Sequence, residues 1–270
     1  CFRFTITTNG VLLDDENIEY INREMSNAVL SIDGRKEVND DLRPTVNGKG
    51  SYDVIVPKFQ KLIEGRGTKD YYLRGTFTRF HQDFAEDVKA LASIGRNISV
   101  EPVVGKEEDP YALQEADLPA LKAEYERLAE YLRDHPETNF FHFNVDLAQG
   151  PCVIKRLRGC GAGCEYVAIT PEGDIYPCHQ FVGNEDYKLG SLYDGTFDQE
   201  LSGRFVGLNI YTREECRDCW ARFYCSGGCS ASNLLVNGDI KKPHRVGCEL
   251  ERKRLECAIA LRAIAAGMAE

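Results

Sequence analysis

The chain has 270 residues, 43% of them hydrophobic and 28% charged, which suits one large domain plus a smaller one with an adequate core. Its net charge of -10 argues against a nucleic-acid partner held through phosphates. No apolar run approaches the length that crosses a bilayer, so no membrane role is expected either.

The chain enters directly at Cys1 on an alternating apolar pattern, Phe2 to Thr8, that predicts a strand and a turn at Asn9-Gly10. With no initiator Met and no leader, further sequence is expected before Cys1. A helix follows from Asp14 or Asp15, with Ile18, Ile21 and Met25 on one face. Ala28 to Ile32 predicts a buried parallel strand ending at Asp33-Gly34, and Arg35 to Gly50 a polar loop. Ser51 is the expected cap of a helix that aligns Ile55, Phe59, Leu62 and Ile63 and stops at Gly65. Tyr71 to Thr78 is the third strand, and Phe84, Val88 and Leu91 mark the next helix, ended by Gly95. Ile98 to Val104 is a fourth strand. A long helix through Leu118, Leu121, Tyr125, Leu128 and Leu132 leads to a last strand, Phe140 to Leu147.

Such alternation builds a parallel sheet with helices outside, either doubly wound or part of a β/α barrel, and periodicity does not choose between them. In both, ligands sit at the carboxyl ends of the strands. Those ends are Thr7-Thr8-Asn9, Ser31-Ile32-Asp33, Thr76-Phe77-Thr78 and Glu101-Pro102-Val103, all polar enough for a small-molecule site.

From Gln149 the texture changes: Gly, Pro and Cys rise, and a domain boundary is expected near Gly150. A helix from about Cys248 to Met268 closes the chain. Of 11 cysteines, one is Cys1 and the others lie between Cys152 and Cys257. Clustered cysteines beside a cysteine-free stretch read as a metal module in a reducing compartment, the cytoplasm, rather than as a disulfide scaffold. The strongest pattern is Cys216-x2-Cys219-x5-Cys225-x3-Cys229 with Cys248 beyond it, and Cys160-x3-Cys164 and Cys178 upstream. Cys225 and Cys229 are expected one helical turn apart on one face, with Gly227-Gly228 as permissive backbone between them. Eight thiolates fill two 4Fe–4S clusters or, equally, two four-thiolate zinc sites. The spacing identifies a metal module, not the metal.

Taken in order, Cys160, Gly173, Cys178, the run from Cys216 to Cys229 and Cys248 resemble the SPASM domain of radical S-adenosylmethionine (SAM) peptide maturases. Ile6 to Gly10 and Leu30 to Gly34 look like later strands of a radical SAM barrel. Further stretches narrow the resemblance to the maturases of six-cysteines-in-forty-five-residues (SCIFF) peptides. These are Asn47 to Asp53, Arg74 to Arg79, Ser99 to Val104, Gln149 to Cys152, Gly159 to Gly163 and Tyr176 to Gly183.

The resemblance implies an α/β chain. Residues 1–149 would be the C-terminal part of a partial (β/α)6 radical SAM barrel, and residues 150–270 a SPASM domain with two auxiliary 4Fe–4S clusters and the terminal helix. Cys160, Cys164, Cys178 and Cys229 would hold the first cluster, and Cys216, Cys219, Cys225 and Cys248 the second. Relatives differ in whether Cys152 or Cys164 completes the first cluster or leaves an iron open to a substrate thiolate. The family's C-x3-C-x2-C motif and Gly-Gly-Glu segment are absent, so the SAM-cleaving third cluster is expected in an N-terminal part outside this chain. Ser31 and Asp33 resemble residues that meet the SAM ribose, and Arg74 the arginine that pairs with its carboxylate. Taken without the family, Asp33 is a turn residue, Ser31 strand filler and Arg74 half of an ion pair. Tyr166, Trp220, Phe223 and Tyr224 are expected to bury the clusters, and Cys257 to be a small buried hydrophobe.

The implied activity joins a cysteine sulfur to a backbone α-carbon in a Cys-rich precursor peptide, with electrons from a flavodoxin or ferredoxin. Two other readings stand beside it: maturation of a sulfatase or another peptide oxidation, and a non-catalytic zinc or Fe–S scaffold.

Overall fold

A computed structural model describes residues 2–145 and 153–267. The chain divides into two compact units. The first comprises Cys1–Val104, Glu108–Asn144 and Glu256–Glu270; the second comprises Gly105–Glu107 and Val145–Leu255. The boundary expected near Gly150 lies outside the described residues.

In the first unit the elements run β1 (Thr5–Thr8), α1 (Asp15–Glu24), β2 (Asn27–Ser31), α2 (Lys36–Leu42) and α3 (Tyr52–Glu64). They continue as β3 (Asp70–Phe77), α4 (Phe84–Ala92), β4 (Asn97–Pro102), α5 (Leu118–Asp134) and β5 (Asn139–Phe140). All five strands are parallel, in the spatial order β1-β2-β3-β4-β5. A doubly wound sheet reverses its strand order at a switch point. This sheet does not, so the chain winds one way and right-handed crossovers leave the helices on one face, as in an arc of barrel. The two alternatives left open by periodicity are thereby resolved.

The helix-covered face holds the core. Ala28, Leu30, Leu73, Phe77, Ile98 and Val100 project from the strands and are buried with Ile55, Phe59, Leu62, Val88 and Leu91 from the helices. Phe77 stacks on Phe84 with ring centroids 4.3 Å apart, and Phe84 on Tyr125 at 4.7 Å. Asp14 caps α1 by accepting from Asn17 N at 2.8 Å. Arg66 is buried and ties loose chain ends together. Its guanidinium donates to the carbonyls of Ile21 (3.2 Å), Met25 (3.1 Å), Ser26 (3.0 Å) and Asp70 (2.7 Å).

Three local expectations are corrected. Residues expected to form only a loop contain α2, whose two apolar residues, Val38 and Leu42, stand in a run of charged and amide side chains too short for its periodicity to show. Ser51 does precede α3 but does not cap it: its hydroxyl donates to Arg43 O at 2.7 Å and accepts from Asn39. The last strand is only Asn139–Phe140, because the chain then turns into a 3-10 segment over Phe141–Phe143.

The second unit has short elements: α6 (Val153–Arg158), β6 (Ala168–Ile169), β7 (Asp174–Tyr176), β8 (Gly190–Ser191) and β9 (Thr196–Phe197). After them come α7 (Gln199–Val206), α8 (Arg222–Cys225), α9 (Ser230–Asn237) and α10 (Arg245–Ala265), the last crossing into the first unit's residues. The strands form one antiparallel sheet in the order β6-β7-β8-β9. A small core unites Ile175, Phe181, Leu189, Leu201, Phe205 and Ile240. Among the described residues no helix is long and apolar enough to cross a membrane.

Candidate metal centre

The strand residues expected to meet SAM lie on the sheet face opposite the helices. Burial alternates along β2 and β3, so Ser31, Tyr72, Arg74 and Thr76 share the less buried side. Ser31 is in register with Arg74, and Arg74 with Ser99. Arg74 is 43% exposed in its side chain and pairs with Glu101 at 2.8 Å. Glu101 also approaches His142 Nε2 (3.8 Å), which lies 3.1 Å from Ser99 Oγ. Sequence reading had noted Glu101 only as a strand end and missed His142, which carries no motif signal.

Asp33 stands differently. It is 3% exposed, and both carboxylate oxygens are engaged by the Arg43 fork at 2.5 and 3.0 Å. Oδ1 also accepts from Thr76 N at 2.9 Å, tying the end of β2 to β3. Gly75 makes this approach possible, since a Cβ there would lie 2.6 Å from Ile32 O and 2.9 Å from Asp33 Cα. Arg43 itself is delivered by the unexpected α2, directly after its last residue.

In the second unit every described cysteine from Cys160 to Cys248 is a free thiol, as is Cys257 in the first, where it is buried and donates to Tyr125 O at 3.6 Å. Cys1 and Cys152 lie outside the described residues. Among the described residues no three His, Cys, Asp or Glu side chains gather at the spacing of a single metal ion. Four thiols instead line a small cavity of about 30 Å³: Cys216, Cys219, Cys225 and Cys248. Arg222, Arg252, Glu215, Glu251 and Pro243 complete its wall.

The sequence creates this arrangement through a break. Cys225 ends α8, and Ser226, Gly227 and Gly228 follow with φ of 58°, 87° and 73°. Three left-handed residues abolish the helical turn expected between Cys225 and Cys229, which is a correction with a functional result. Cys225 turns to the cavity, where the backbone N–H groups of Gly227 and Gly228 face its sulfur. Cys229 becomes the N-cap of α9 and joins a different group.

That second group contains Cys178, whose thiol pKa is raised by burial and by the neighbouring Cys229 and Cys160. Cys164, expected as its fourth member, donates to Gly161 O at 3.3 Å within its own loop. Burial likewise pushes Cys225 up to about 12, with Glu251 and Cys248 adding to the effect. Cys248 rises to about 11, through burial first and then Cys216. Opposing this, Arg252 gains a raised pKa first of all from the Cys219 sulfur. Buried thiols with cations and N–H donors aimed at them suit a metal that displaces their protons and remains bathed in compensating charge.

A soft four-sulfur donor set around a cavity, rather than at single-ion spacing, fits an iron–sulfur cluster, in which each thiolate binds a different iron. Of the four aromatics expected to bury the clusters, only Phe223 is half-buried, with the Arg222 guanidinium over its ring. Trp220 is 50% exposed and Tyr166 and Tyr224 are also exposed, because short turns around the cysteines leave the rings no core to enter. Charged Arg222 and Arg252 take that place.

Comparison with known proteins accords with this chemistry. Residues 160–220 match the SPASM model, an iron–sulfur cluster-binding domain. The chain is 27% identical over 249 residues to the mycofactocin maturase MftC of Mycolicibacterium smegmatis, covering 88% of this chain and 61% of that protein. It is 24% identical over 250 residues to a cysteine-type anaerobic sulfatase-maturating enzyme of Clostridium novyi, covering 84% and 63%. A protein of Archaeoglobus fulgidus with no assigned role is 25% identical over 265 residues, covering 93% and 62%. The chain thus spans less than two thirds of these relatives' own length. Among solved structures, AdoMet-bound anSMEcpe superposes with a TM-score of 0.76 at 18% identity, over 98% of this chain and 72% of that one. SuiB of Streptococcus suis, bound to its precursor peptide SuiA, gives 0.62 at 20% identity over 90% and 58%. The chain therefore has the α/β fold of radical SAM enzymes that carry a SPASM domain, with residues 160–220 forming the matched part of that domain.

Proposed function

We propose that the chain is the greater part of a radical SAM peptide maturase that forms a thioether between a cysteine sulfur and a backbone α-carbon of a Cys-rich precursor peptide. The observation that carries this reading is the four-thiol lining of the cavity, beside which Cys229 and Cys160 lie near enough to Cys178 to raise its pKa. In this reading the first group, Cys160, Cys178 and Cys229 with Cys164 or Cys152, and the second, Cys216, Cys219, Cys225 and Cys248, each hold an auxiliary 4Fe–4S cluster. SAM and the clusters, when bound, would supply hydrogen abstraction and one-electron transfer.

The chain's own residues supply position and charge. Arg74 and Ser31 stand in register on the open face, where a guanidinium can take a carboxylate and a hydroxyl a ribose oxygen. Glu101 holds Arg74 in place meanwhile. Asp33, already clamped by Arg43, fixes the strand end that presents them. Crosslinking breaks one S–H and one C–H bond and makes one S–C bond, so two hydrogens and their electrons leave the peptide. Redox groups beside a peptide site suit that balance. The AdoMet bound to anSMEcpe and the precursor peptide bound to SuiB, both on this fold, support a SAM site and a peptide partner. An electron donor such as flavodoxin or ferredoxin belongs to the same proposal.

Maturation of a sulfatase is the second reading, favoured by the higher TM-score to anSMEcpe than to SuiB. One experiment separates them. The full gene product, reduced and supplied with SAM, is incubated with a short Cys-rich peptide encoded beside its gene and with a sulfatase-derived cysteine peptide. A Cys-rich product lighter by two hydrogens, with one thiol lost to alkylation, supports the thioether reading. Turnover of the sulfatase peptide alone transfers the assignment, and SAM-independent inertness of both contradicts either.

A further inference from the structure

Arg213 lies three residues before Cys216 and is 3% exposed. Its guanidinium donates to Gly227 O, to Ser230 Oγ at 2.9 Å and to Ile240 O at 3.3 Å. None of these acceptors carries a charge. Gly227, already left-handed, must also be glycine for a second reason: a Cβ there would collide with Arg213 Nη1. The Nε–H is buried and has no acceptor among the described residues. A guanidinium stays protonated at any ordinary pH, so a buried cation with neutral acceptors and a spare donor is costly unless an anion stands beside it.

Among the described residues, the groups that bear on it are sulfurs. Burial pulls the Arg213 pKa down, and Cys216, Cys225, Cys229 and Cys160 push it back up. Two of these belong to the cavity group and two to the Cys178 group. Geometry agrees: Gly227, whose carbonyl Arg213 holds, lines the cavity, and Ser230, whose hydroxyl it holds, directly follows Cys229.

We propose that Arg213 is the shared counter-charge of the two clusters, its clamped guanidinium aiming Nε–H at a thiolate or sulfide sulfur and raising the reduction potential of both. It is a positioning and tuning residue rather than a catalytic one. A nearby positive charge stabilises the more negative reduced state, and an N–H donor to sulfur acts in the same direction. The proposal rests on the cluster-binding reading above, and its test keeps the two apart.

The test is an EPR-monitored redox titration of the anaerobically reconstituted protein, with iron and sulfide assayed in parallel. R213Q, carrying full iron and sulfide, should shift the redox equilibrium of both auxiliary signals at least tenfold toward the oxidised form, a fall of about 59 mV for a one-electron couple. R213K keeps the charge and should shift them less than threefold. Unmoved potentials in an iron-replete R213Q protein, or movement of one signal only, overturn the proposal. If R213Q holds no iron, R213K decides: full iron and near-native potentials sustain the charge role, whereas equal loss of iron makes Arg213 a packing residue. Wild-type protein that binds no iron sinks the cluster reading itself, a distinct result.

Discussion

The first unit buries long apolar side chains between a parallel sheet and its helices, whereas the second has few such side chains to bury. Of the largest fully buried side chains, Phe59, Phe77, Phe84, Tyr125 and their aliphatic neighbours belong to the first unit, and Phe181 alone to the second. The second unit invests its residues in turns, glycines and thiols. Its free thiols sit where metal would bind them, and small folds short of apolar core draw their stability from such bonds. The comparison teaches that a parallel sheet can rest on its apolar core, whereas a thiol-rich module is expected to gain stability from the metal its cysteines would hold.

The largest effect should come from stripping the metal. Chelation should abolish hydrogen-exchange protection in β7, α7 and α9, with a loss on the order of 10 kcal/mol as in other structural metal sites. Amides of β2, β3 and β4 should keep theirs, and protected second-unit amides in metal-free protein would break the comparison. Next in size is Phe84→Ala, which removes a ring from the stack with Phe77 and Tyr125. It should cost about 4 kcal/mol by denaturant unfolding of the first unit while leaving iron content unchanged. Arg66→Met takes a charged donor from the carbonyls of Ile21, Met25, Ser26 and Asp70 and should cost about 3 kcal/mol by the same assay. The smallest is functional: Arg74→Ala should weaken SAM binding about tenfold, or about 1.4 kcal/mol by calorimetry, without altering the unfolding midpoint. Unchanged affinity would return Arg74 to a structural partner of Glu101.

The same contrast governs what could be read from the chain itself. Strands such as Ala28–Ile32 and Tyr71–Thr78 announce themselves because burial on one face alternates with polar residues on the other. Helix α2 escaped notice, since Val38 stands nearly alone among Lys36, Glu37, Asn39, Asp40 and Asp41. With it escaped Arg43, hence the reason Asp33 is occupied. In the second unit the order of cysteines was legible, but their grouping depends on backbone angles. A serine at positive φ, Ser226, ahead of two left-handed glycines sends Cys225 and Cys229 apart, and no periodicity signals that. Spacing implied a shared helical face, and the left-handed break after Cys225 removes it.

Central to the account is that two distinct sets of sulfurs each take their own iron–sulfur cluster. Paired variants measured by iron, sulfide and zinc content together with EPR test this most directly, Cys225→Ser for one set and Cys178→Ser for the other. The 270-residue chain should hold about eight irons, each variant about four, and a different EPR signal should be missing from each. Zinc in place of iron, or the same signal lost from both variants, would contradict it.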